Sequence, residues 1–153
     1  MALSDQDYLQ INQALFSLVN EYQNRADRES QDSDDSLTVS ERGVILVLGQ
    51  LAQGQHAPTN QRRLGEVMQL SPGPISQYVH KLVTKKLVAK EQDQDDRRNW
   101  WLRLTPAGER LYAETVQGAV GYTRDLLEAL DESEQRKLHE LLLKAARASG
   151  YDW

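Results

Sequence analysis

The sequence predicts a mainly α-helical protein with one small β-hairpin, and three observations support this. Apolar residues recur at steps of three and four through most of the chain. Two short strand-like segments enclose a highly charged stretch. Ser, Thr and Asp residues stand directly before several periodic segments, where they can cap helices. With 153 residues and 39% hydrophobic content, residues 1–153 are expected to form a single domain with a buried core.

The first two predicted helices are separated by a polar loop. The first covers about residues 5–26, and the loop runs through residues 25–36, where Asp and Ser crowd the chain. Thr38 and Glu41 then have the spacing of a capping box, so a second, apolar helix is predicted to about Ala52. The apolar stripe of the first helix consists of Tyr8, Ile11, Leu15, Leu18 or Val19, and Tyr22.

Two short helices joined by a tight turn are predicted next. Thr59 is expected to cap a helix that ends near Gln69. Ser71 is expected to cap a helix to about Lys86, because prolines are tolerated in a first turn, where backbone N–H groups have no intrahelical partner. Apolar side chains share one face of this helix and polar ones the other. The pair is a helix-turn-helix arrangement.

A hairpin follows, with strands at residues 87–91 and 100–104 and a charged tip between them. Alternation along the second strand predicts that Trp100 packs inward with Leu102, while Trp101 lies on the outer face.

Two helices complete the chain. Thr105 and Pro106 supply a cap and a first-turn proline for a long helix to Leu130, and Asp131 and Glu134 have the spacing of a cap for the last helix. The order of elements predicts a winged helix-turn-helix with helical extensions at both ends.

The segment after the charged tip carries a family resemblance. Asp96 and Arg98, followed by Leu104-Thr105-x-x-Gly108, resemble the wing signature of the MarR family of bacterial transcriptional regulators. Leu70-Ser71 through Leu82, and then Leu87-Val88, resemble that family's recognition helix and the start of its wing. The resemblance implies a homodimer that grips a pseudo-palindromic operator, with residues 38–104 as the DNA-binding lobe and residues 5–26 and 106–148 as interlocking dimerisation helices.

Side-chain chemistry points to the same DNA-binding role. An arginine at a hairpin tip can enter the narrow minor groove, and Asp96 can orient the guanidinium of Arg98, although a solvated charged turn would have the same spacing. Gln77 stands where many family members have Arg, and it can still contact adenine. Lys86 stands where a glycine commonly ends the recognition helix, so a left-handed C-cap there carries a conformational cost. The predicted DNA contacts are Ser71, Gly73, Pro74, Ser76, Gln77, His80, Lys81, Asp96, Arg97 and Arg98.

The terminal helices carry more apolar residues than a small winged-helix core needs. Burial in a homodimer is the prediction, and a monomer with these helices folded back is the alternative. The predicted dimer contacts are Tyr8, Ile11, Leu15, Leu127, Leu138, Leu141 and Leu142.

Charge and composition exclude several classes of function. The net charge is −5, yet residues 56–110 have ten Lys and Arg against six Asp and Glu. This basic central segment favours binding of a polyanion, although ordinary scatter of surface charge would give the same pattern. No cysteine is present, so disulfides, thiol chemistry and sulfur-ligated zinc are excluded. The three histidines lack metal-site spacing, and the sequence has no catalytic motif. No membrane span, metal or cofactor is predicted, and the expected location is the cytoplasm.

The leading hypothesis is a sequence-specific DNA-binding transcriptional regulator, and not an enzyme. The resemblance implies a repressor that a small, often aromatic ligand relieves by binding between the dimer helices and the DNA-binding lobes. The alternative is a winged-helix protein–protein adaptor in which DNA binding is weak or lost.

Overall fold

The computed structural model describes residues 2–31, 37–53 and 58–150. Its described elements confirm a mainly α fold with a β-hairpin wing, and the chain forms two compact units, Met1–Ser40 and Glu41–Trp153. The elements in chain order are α1 (Asp5–Gln31), α2 (Val39–Gln53), β1 (Thr59–Asn60), α3 (Gln61–Met68), α4 (Pro72–Thr84), β2 (Val88–Gln92), β3 (Trp100–Leu104), α5 (Pro106–Leu126) and α6 (Glu132–Ala148).

Helix α1 is longer than the sequence predicted. The predicted end near residue 26 and loop start at residue 25 are wrong, because the helix continues to Gln31. The added turn contains no proline or glycine, and the Arg28 side chain supports it by donating from Nε to the Asn24 carbonyl at 3.2 Å. Residues 32–36 of the predicted loop lie outside the described part of the chain.

The second unit has a core of aliphatic side chains at the helix-turn-helix and the sheet. Strand β3 is central in the sheet, whose order is β1-β3-β2 and whose strand pairs are antiparallel. The buried apolar residues of this core include Val44, Ile45, Leu48, Leu64, Ile75, Val79, Leu82, Leu87, Val88, Leu102 and Leu111. Each is at most 8% exposed. Because Ile75, Val79 and Leu82 belong to α4, burial of their side of the helix leaves the polar side facing outward.

Strand β1 was not predicted, and it changes the start of α3. Thr59 does not cap this helix: it pairs with Leu102 in the sheet and is 4% exposed. Asn60 is the N-cap, and its Oδ1 accepts from the backbone N–H of Arg63 at 2.8 Å. The sheet thereby holds the first turn of the helix-turn-helix in place.

Two non-glycine residues adopt left-handed backbone conformations at the ends of the short helices. Gln69 has φ 52° after α3, and Lys86 has φ 59° after α4. The left-handed conformation of Lys86 is the one that the sequence predicted at this position. Beyond Lys86, the Leu87 N–H donates to the Leu82 carbonyl at 2.9 Å, and Lys86 itself donates to the Val83 carbonyl at 2.9 Å. This is a Schellman motif, which usually places glycine at the position of Lys86.

Replacing Lys86 with glycine is expected to stabilise the protein by about 1 kcal/mol, because glycine adopts a left-handed conformation without steric cost. Thermal or urea unfolding measures the change. The neighbouring Lys85 has φ −76°, so Lys85→Gly is the matched control and is expected to lower stability. Equal losses in both variants would contradict the assignment of strain to Lys86.

A tight junction joins the wing to helix α5. Thr105 caps the helix as predicted, because its Oγ1 accepts from the Gly108 N–H at 3.1 Å. The same hydroxyl donates to the Lys86 carbonyl at 2.7 Å, and the Thr105 N–H donates to the Leu87 carbonyl at 3.0 Å. A Cβ on Gly108 would lie 2.0 Å from the Leu87 oxygen, so glycine is required where the helix passes this carbonyl.

Helix α5 ends at Leu126, four residues before the predicted end at Leu130. Beyond it the backbone N–H groups of Glu128 and Leu130 donate to carbonyls three residues back, and Nε2 of Gln135 donates to the carbonyls of Leu127 and Leu130 at 3.1 and 3.0 Å. The capping box of Asp131 is confirmed at the start of α6. Within the described ranges, every helix is too short or too polar to cross a membrane.

Candidate nucleic-acid interface

The outer face of α4 is polar and exposed, as predicted. Ser76, Gln77 and His80 are exposed, while Ile75 and Val79 on the other side are buried. The Gln77 side chain makes no hydrogen bond to any described residue, so its amide donor and acceptor are both available to a ligand. The helix therefore presents hydrogen-bonding groups that the fold does not use.

The first turn of α4 is similarly open. Ser71 is the N-cap, but its hydroxyl makes no capping hydrogen bond. A Cβ on Gly73 would meet nothing within 4 Å, so the fold does not require glycine at this exposed position, and Pro74 is half-buried. These residues leave room for close approach of another molecule.

Lys81 lies in an ion pair, although the sequence suggested only a DNA contact for it. Its Nζ is 2.8 Å from Oε1 of Glu41, whose side chain is 5% exposed, while that of Lys81 is 43% exposed. A carboxylate is rarely buried without a cation, so this pair fastens α4 to the start of α2. The apolar surroundings of Glu41 in α2 were the sequence signal that could have predicted it.

Replacing Lys81 with Met is expected to lower the free energy of unfolding by about 1 to 2 kcal/mol, because the buried Glu41 carboxylate loses its ion pair with Lys81. Urea unfolding measures this change. The slope of log affinity for DNA against log salt is expected to stay as in the wild type. A slope smaller by about 1 with unchanged stability would instead make Lys81 a phosphate contact.

The tip of the wing is an ordered turn. Asp93 Oδ1 accepts from the N–H groups of Asp95 and Asp96 at 2.8 and 3.3 Å. The N–H of Asn99 donates to the Asp96 carbonyl at 2.8 Å, and the Asp93 N–H donates to the Asn99 carbonyl at 3.0 Å. Gln92 closes the turn by donating from Nε2 to the Arg97 carbonyl at 2.7 Å. The backbone of the tip is thus defined by local hydrogen bonds.

The structure brings Asp96 and Arg98 together, as predicted. Nε of Arg98 donates to Oδ1 of Asp96 at 3.1 Å, and the backbone N–H of Arg98 donates to the same oxygen at 3.1 Å. Asn99 Nδ2 donates to the other carboxylate oxygen at 3.3 Å. The Arg98 side chain is 91% exposed, so the guanidinium is oriented by Asp96 and still open to solvent. Arg97 beside it is also exposed.

The Arg98 guanidinium, followed by its backbone N–H, holds the pKa of Asp96 below the ordinary value of 3.8. Because the folded pKa is lowered, the stabilisation from this pair is present above the ordinary value and is lost as the pH falls through the folded value. The Asp96 carboxylate therefore remains charged at every pH near neutrality.

Trp100 is placed differently from the prediction. It does not pack inward with Leu102: Trp100 is 47% exposed, whereas Leu102 is 5% exposed. Its partner in the sheet is Gln92 at the tip end of the hairpin, while β1 reaches only as far as Leu102 and Trp101. The core therefore ends before Trp100, whose ring lines a groove of about 740 Å³.

The terminal helices present apolar residues to solvent. Among the predicted dimer contacts, Leu127 and Leu138 are half-buried. In α1 and α6, no described side chain is buried. The exposed predicted contacts, with their exposed fractions, are Tyr8 (60%), Ile11 (45%), Leu15 (50%), Leu141 (52%) and Leu142 (51%).

Metal-binding groups do not cluster in the part of the chain that the structure describes. No three His, Cys, Asp or Glu residues come together there in a way that could hold a metal ion. His80 and His139 lie on different helices, and His56 lies outside the described residues.

Comparison with known proteins identifies relatives of this fold. Residues 37–99, which include the helix-turn-helix and the wing tip, match the model of the MarR family. No curated protein matches the chain.

Similar solved structures extend the likeness over nearly the whole chain. FabT of Streptococcus pneumoniae, solved in complex with DNA, is 18% identical with a TM-score of 0.80, over 94% of this chain and 97% of FabT. A MarR/EmrR family transcriptional regulator from Acinetobacter sp. ADP1 is 22% identical with a TM-score of 0.73, over 99% and 100% of the two chains. A probable transcriptional regulator from Pseudomonas aeruginosa is 26% identical with a TM-score of 0.65, over 85% and 94%.

Proposed function

We propose that the chain is a member of the MarR family of transcriptional regulators, whose model matches residues 37–99, and that it binds a specific operator in double-stranded DNA as a homodimer. Proteins of this family are regulators and not enzymes, which agrees with the sequence prediction. Because the proposed partner is the DNA of a bacterial gene, the proposed location is the cytoplasm.

The observation that carries the proposal is the Asp96–Arg98 pair at the wing tip. A guanidinium that is 91% exposed and held at 3.1 Å by a carboxylate is preorganised to enter a narrow minor groove, whose negative potential attracts arginine. Minor-groove binding by Arg98 and major-groove binding by the polar face of α4 are parts of one docking geometry. The likeness to FabT, solved with DNA, supports it.

The proposed contacts on α4 are Ser71, Gly73, Pro74, Ser76, Gln77 and His80, and those on the wing are Arg97 and Arg98. Asp96 acts by orienting Arg98. Lys81 is left out because its ammonium is committed to Glu41. Gln77 is the proposed specificity residue, since its amide can pair with adenine through two hydrogen bonds.

Homodimer formation is proposed from the exposed apolar faces of the terminal helices. Tyr8 and Leu15 on α1, and Leu141 and Leu142 on α6, are each at least 50% exposed. Apolar residues that recur on one helix are usually covered by a partner, and packing against a second copy would cover the exposed apolar residues of each of these helices. Two copies would present two recognition helices to the two halves of a pseudo-palindrome.

From the family resemblance we also propose that the protein represses transcription and that a small aromatic ligand relieves the repression. Such a ligand would regulate only by binding two conformations of the dimer with unequal affinity.

The test is a fluorescence-anisotropy titration of the protein against the DNA upstream of its own gene, beside a scrambled duplex of equal length, at two salt concentrations. An operator-binding protein is expected to prefer the native duplex strongly. Its affinity is expected to fall by orders of magnitude over a modest salt increase if roughly six or more phosphates are contacted. Equal affinity for both duplexes with little dependence on salt would contradict the proposal and favour the protein–protein adaptor.

A further inference from the structure

We propose that the groove beside the wing seats the sugar–phosphate backbone of the DNA strand that borders the minor groove entered by Arg98. This inference rests on the proposed function and adds residues to it that neither the helix-turn-helix pattern nor the wing signature indicates. The Trp100 groove, as we call it, is lined by Asn60, Gln61, Arg62, Lys90, Arg98, Asn99 and Trp100.

The lining of the Trp100 groove has the composition of a nucleic-acid contact surface. It combines three cationic side chains, three amides and one tryptophan, and none of its residues is acidic. An indole left 47% exposed between cations has a flat apolar face for a deoxyribose, while the cations can neutralise the adjoining phosphates. Amide groups donate hydrogen bonds to phosphate oxygens without adding charge.

Lys90 is the cation of the Trp100 groove that the fold leaves available. Arg62 lies 3.1 Å from Glu66, and Arg98 lies 3.1 Å from Asp96, so each of these already has a carboxylate. Lys90 donates only to the amide oxygen of Gln61, at 3.4 Å, and has no carboxylate partner among the described residues. A phosphate would therefore meet an uncompensated ammonium at Lys90.

The spacing along the wing supports DNA as the occupant. Trp100 follows Arg98 by two residues, directly after the turn at the tip, and both side chains line the same groove. The minor groove is only about 6 Å wide, so a surface that adjoins an arginine inside it would lie beside the bordering strand. The Trp100 groove and the proposed minor-groove contact thus form one continuous surface that shares Arg98.

The first test compares Trp100→Ala with Trp100→Phe in the full-length protein, by titration against the upstream duplex and the scrambled duplex at several salt concentrations. Trp100→Ala is expected to weaken binding to both duplexes by about five- to tenfold, because a sugar contact carries no sequence information. It is expected to leave the salt slope unchanged. Trp100→Phe keeps an aromatic face and is expected to retain most of the affinity.

The second test compares Lys90→Gln with Lys137→Gln, an exposed lysine on α6 that lies 3.7 Å from Glu140. Loss of a phosphate contact is expected to reduce the salt slope by about 1 in the Lys90 variant and to leave it unchanged in the control. Hydroxyl-radical footprinting is expected to show lost protection of the sugars beside the minor groove in Trp100→Ala.

Binding by the wild type tests the proposed function, and binding by the two variants tests the role of the Trp100 groove. A wild-type protein that binds no duplex would contradict both. If the wild type binds its operator and the Trp100→Ala and Lys90→Gln variants match it in affinity and slope, only the inference is overturned. Quenching of the tryptophan emission by benzoate in the wild type, but not in Trp100→Phe, would then assign the Trp100 groove to a small aromatic acid.

Discussion

Replacing Gly108 with alanine is expected to lower the free energy of unfolding by about 3 kcal/mol, which is a large fraction of the stability of a typical domain. The added methyl would lie 2.0 Å from the Leu87 carbonyl oxygen, a backbone atom that cannot rotate away. For a chain of this length, the expected fall in melting temperature is roughly 6 to 12 °C. Thermal unfolding followed by circular dichroism measures it.

Gly121 supplies the matched control, because it lies in the same helix and a Cβ there would meet nothing within 4 Å. Gly121→Ala is expected to raise stability by about 0.5 to 1 kcal/mol through helix propensity. Similar melting temperatures for the Gly108 and Gly121 variants would show that helix α5 can move away from Leu87, contrary to the expected clash.

Replacing Arg98 with alanine is expected to weaken binding to the proposed operator by roughly 10- to 100-fold while leaving the oligomeric state unchanged, because the variant loses the proposed minor-groove contact. Anisotropy titration measures the affinity, and analytical ultracentrifugation measures the oligomeric state. Asp96→Asn keeps the arginine but loses the charged hydrogen bond that orients it, so an intermediate loss is expected.

The control for Arg98 is Arg103→Ala. Arg103 is a second arginine of the wing, 65% exposed and 3.1 Å from Glu91, but it lies on strand β3 and not at the tip. Its removal changes the net charge equally and is expected to change the affinity far less. Equal losses in the two variants would mean that Arg98 contributes only its charge.

The helical part of the fold could be predicted from the sequence because its signals are local. Thr105 and Asp131 cap their helices as their spacing indicates, and Ser71 starts α4 despite two nearby prolines. The caps at Thr105 and Asp131 depend on hydrogen bonds to residues two or three positions away, so a short window of sequence contains the whole signal.

The errors arose where distant residues decide the outcome. Strand β1 has only two residues and exists because β3 pairs with it, so no alternation within it could predict it. Thr59 consequently enters the sheet, and Asn60 takes its place as the cap. Trp100 follows the alternation of its strand, but it lies beyond the edge of the core, and that edge is set by tertiary packing.

The candidate site divides in the same way. Asp96 and Arg98 are two residues apart, so their pairing follows from the local turn. Glu41 and Lys81 are 40 positions apart, and their ion pair depends on how α2 packs against α4. The sequence therefore predicted the wing pair correctly, but it could not distinguish a phosphate-binding lysine from one that fastens the helix.

The junction at Thr105 also determines how the wing can move. Thr105 hydrogen-bonds to both Lys86 and Leu87, just beyond the end of α4, while it caps α5. Strand β3 lies between this junction and the turn that carries Arg98, and its five residues span about 17 Å. A rotation of about 5° of the strand about this junction would displace its far end by roughly 1.5 Å, about a quarter of the width of a minor groove of about 6 Å. A small movement of α5 would therefore produce a larger displacement of the wing tip, where the proposed DNA contact lies.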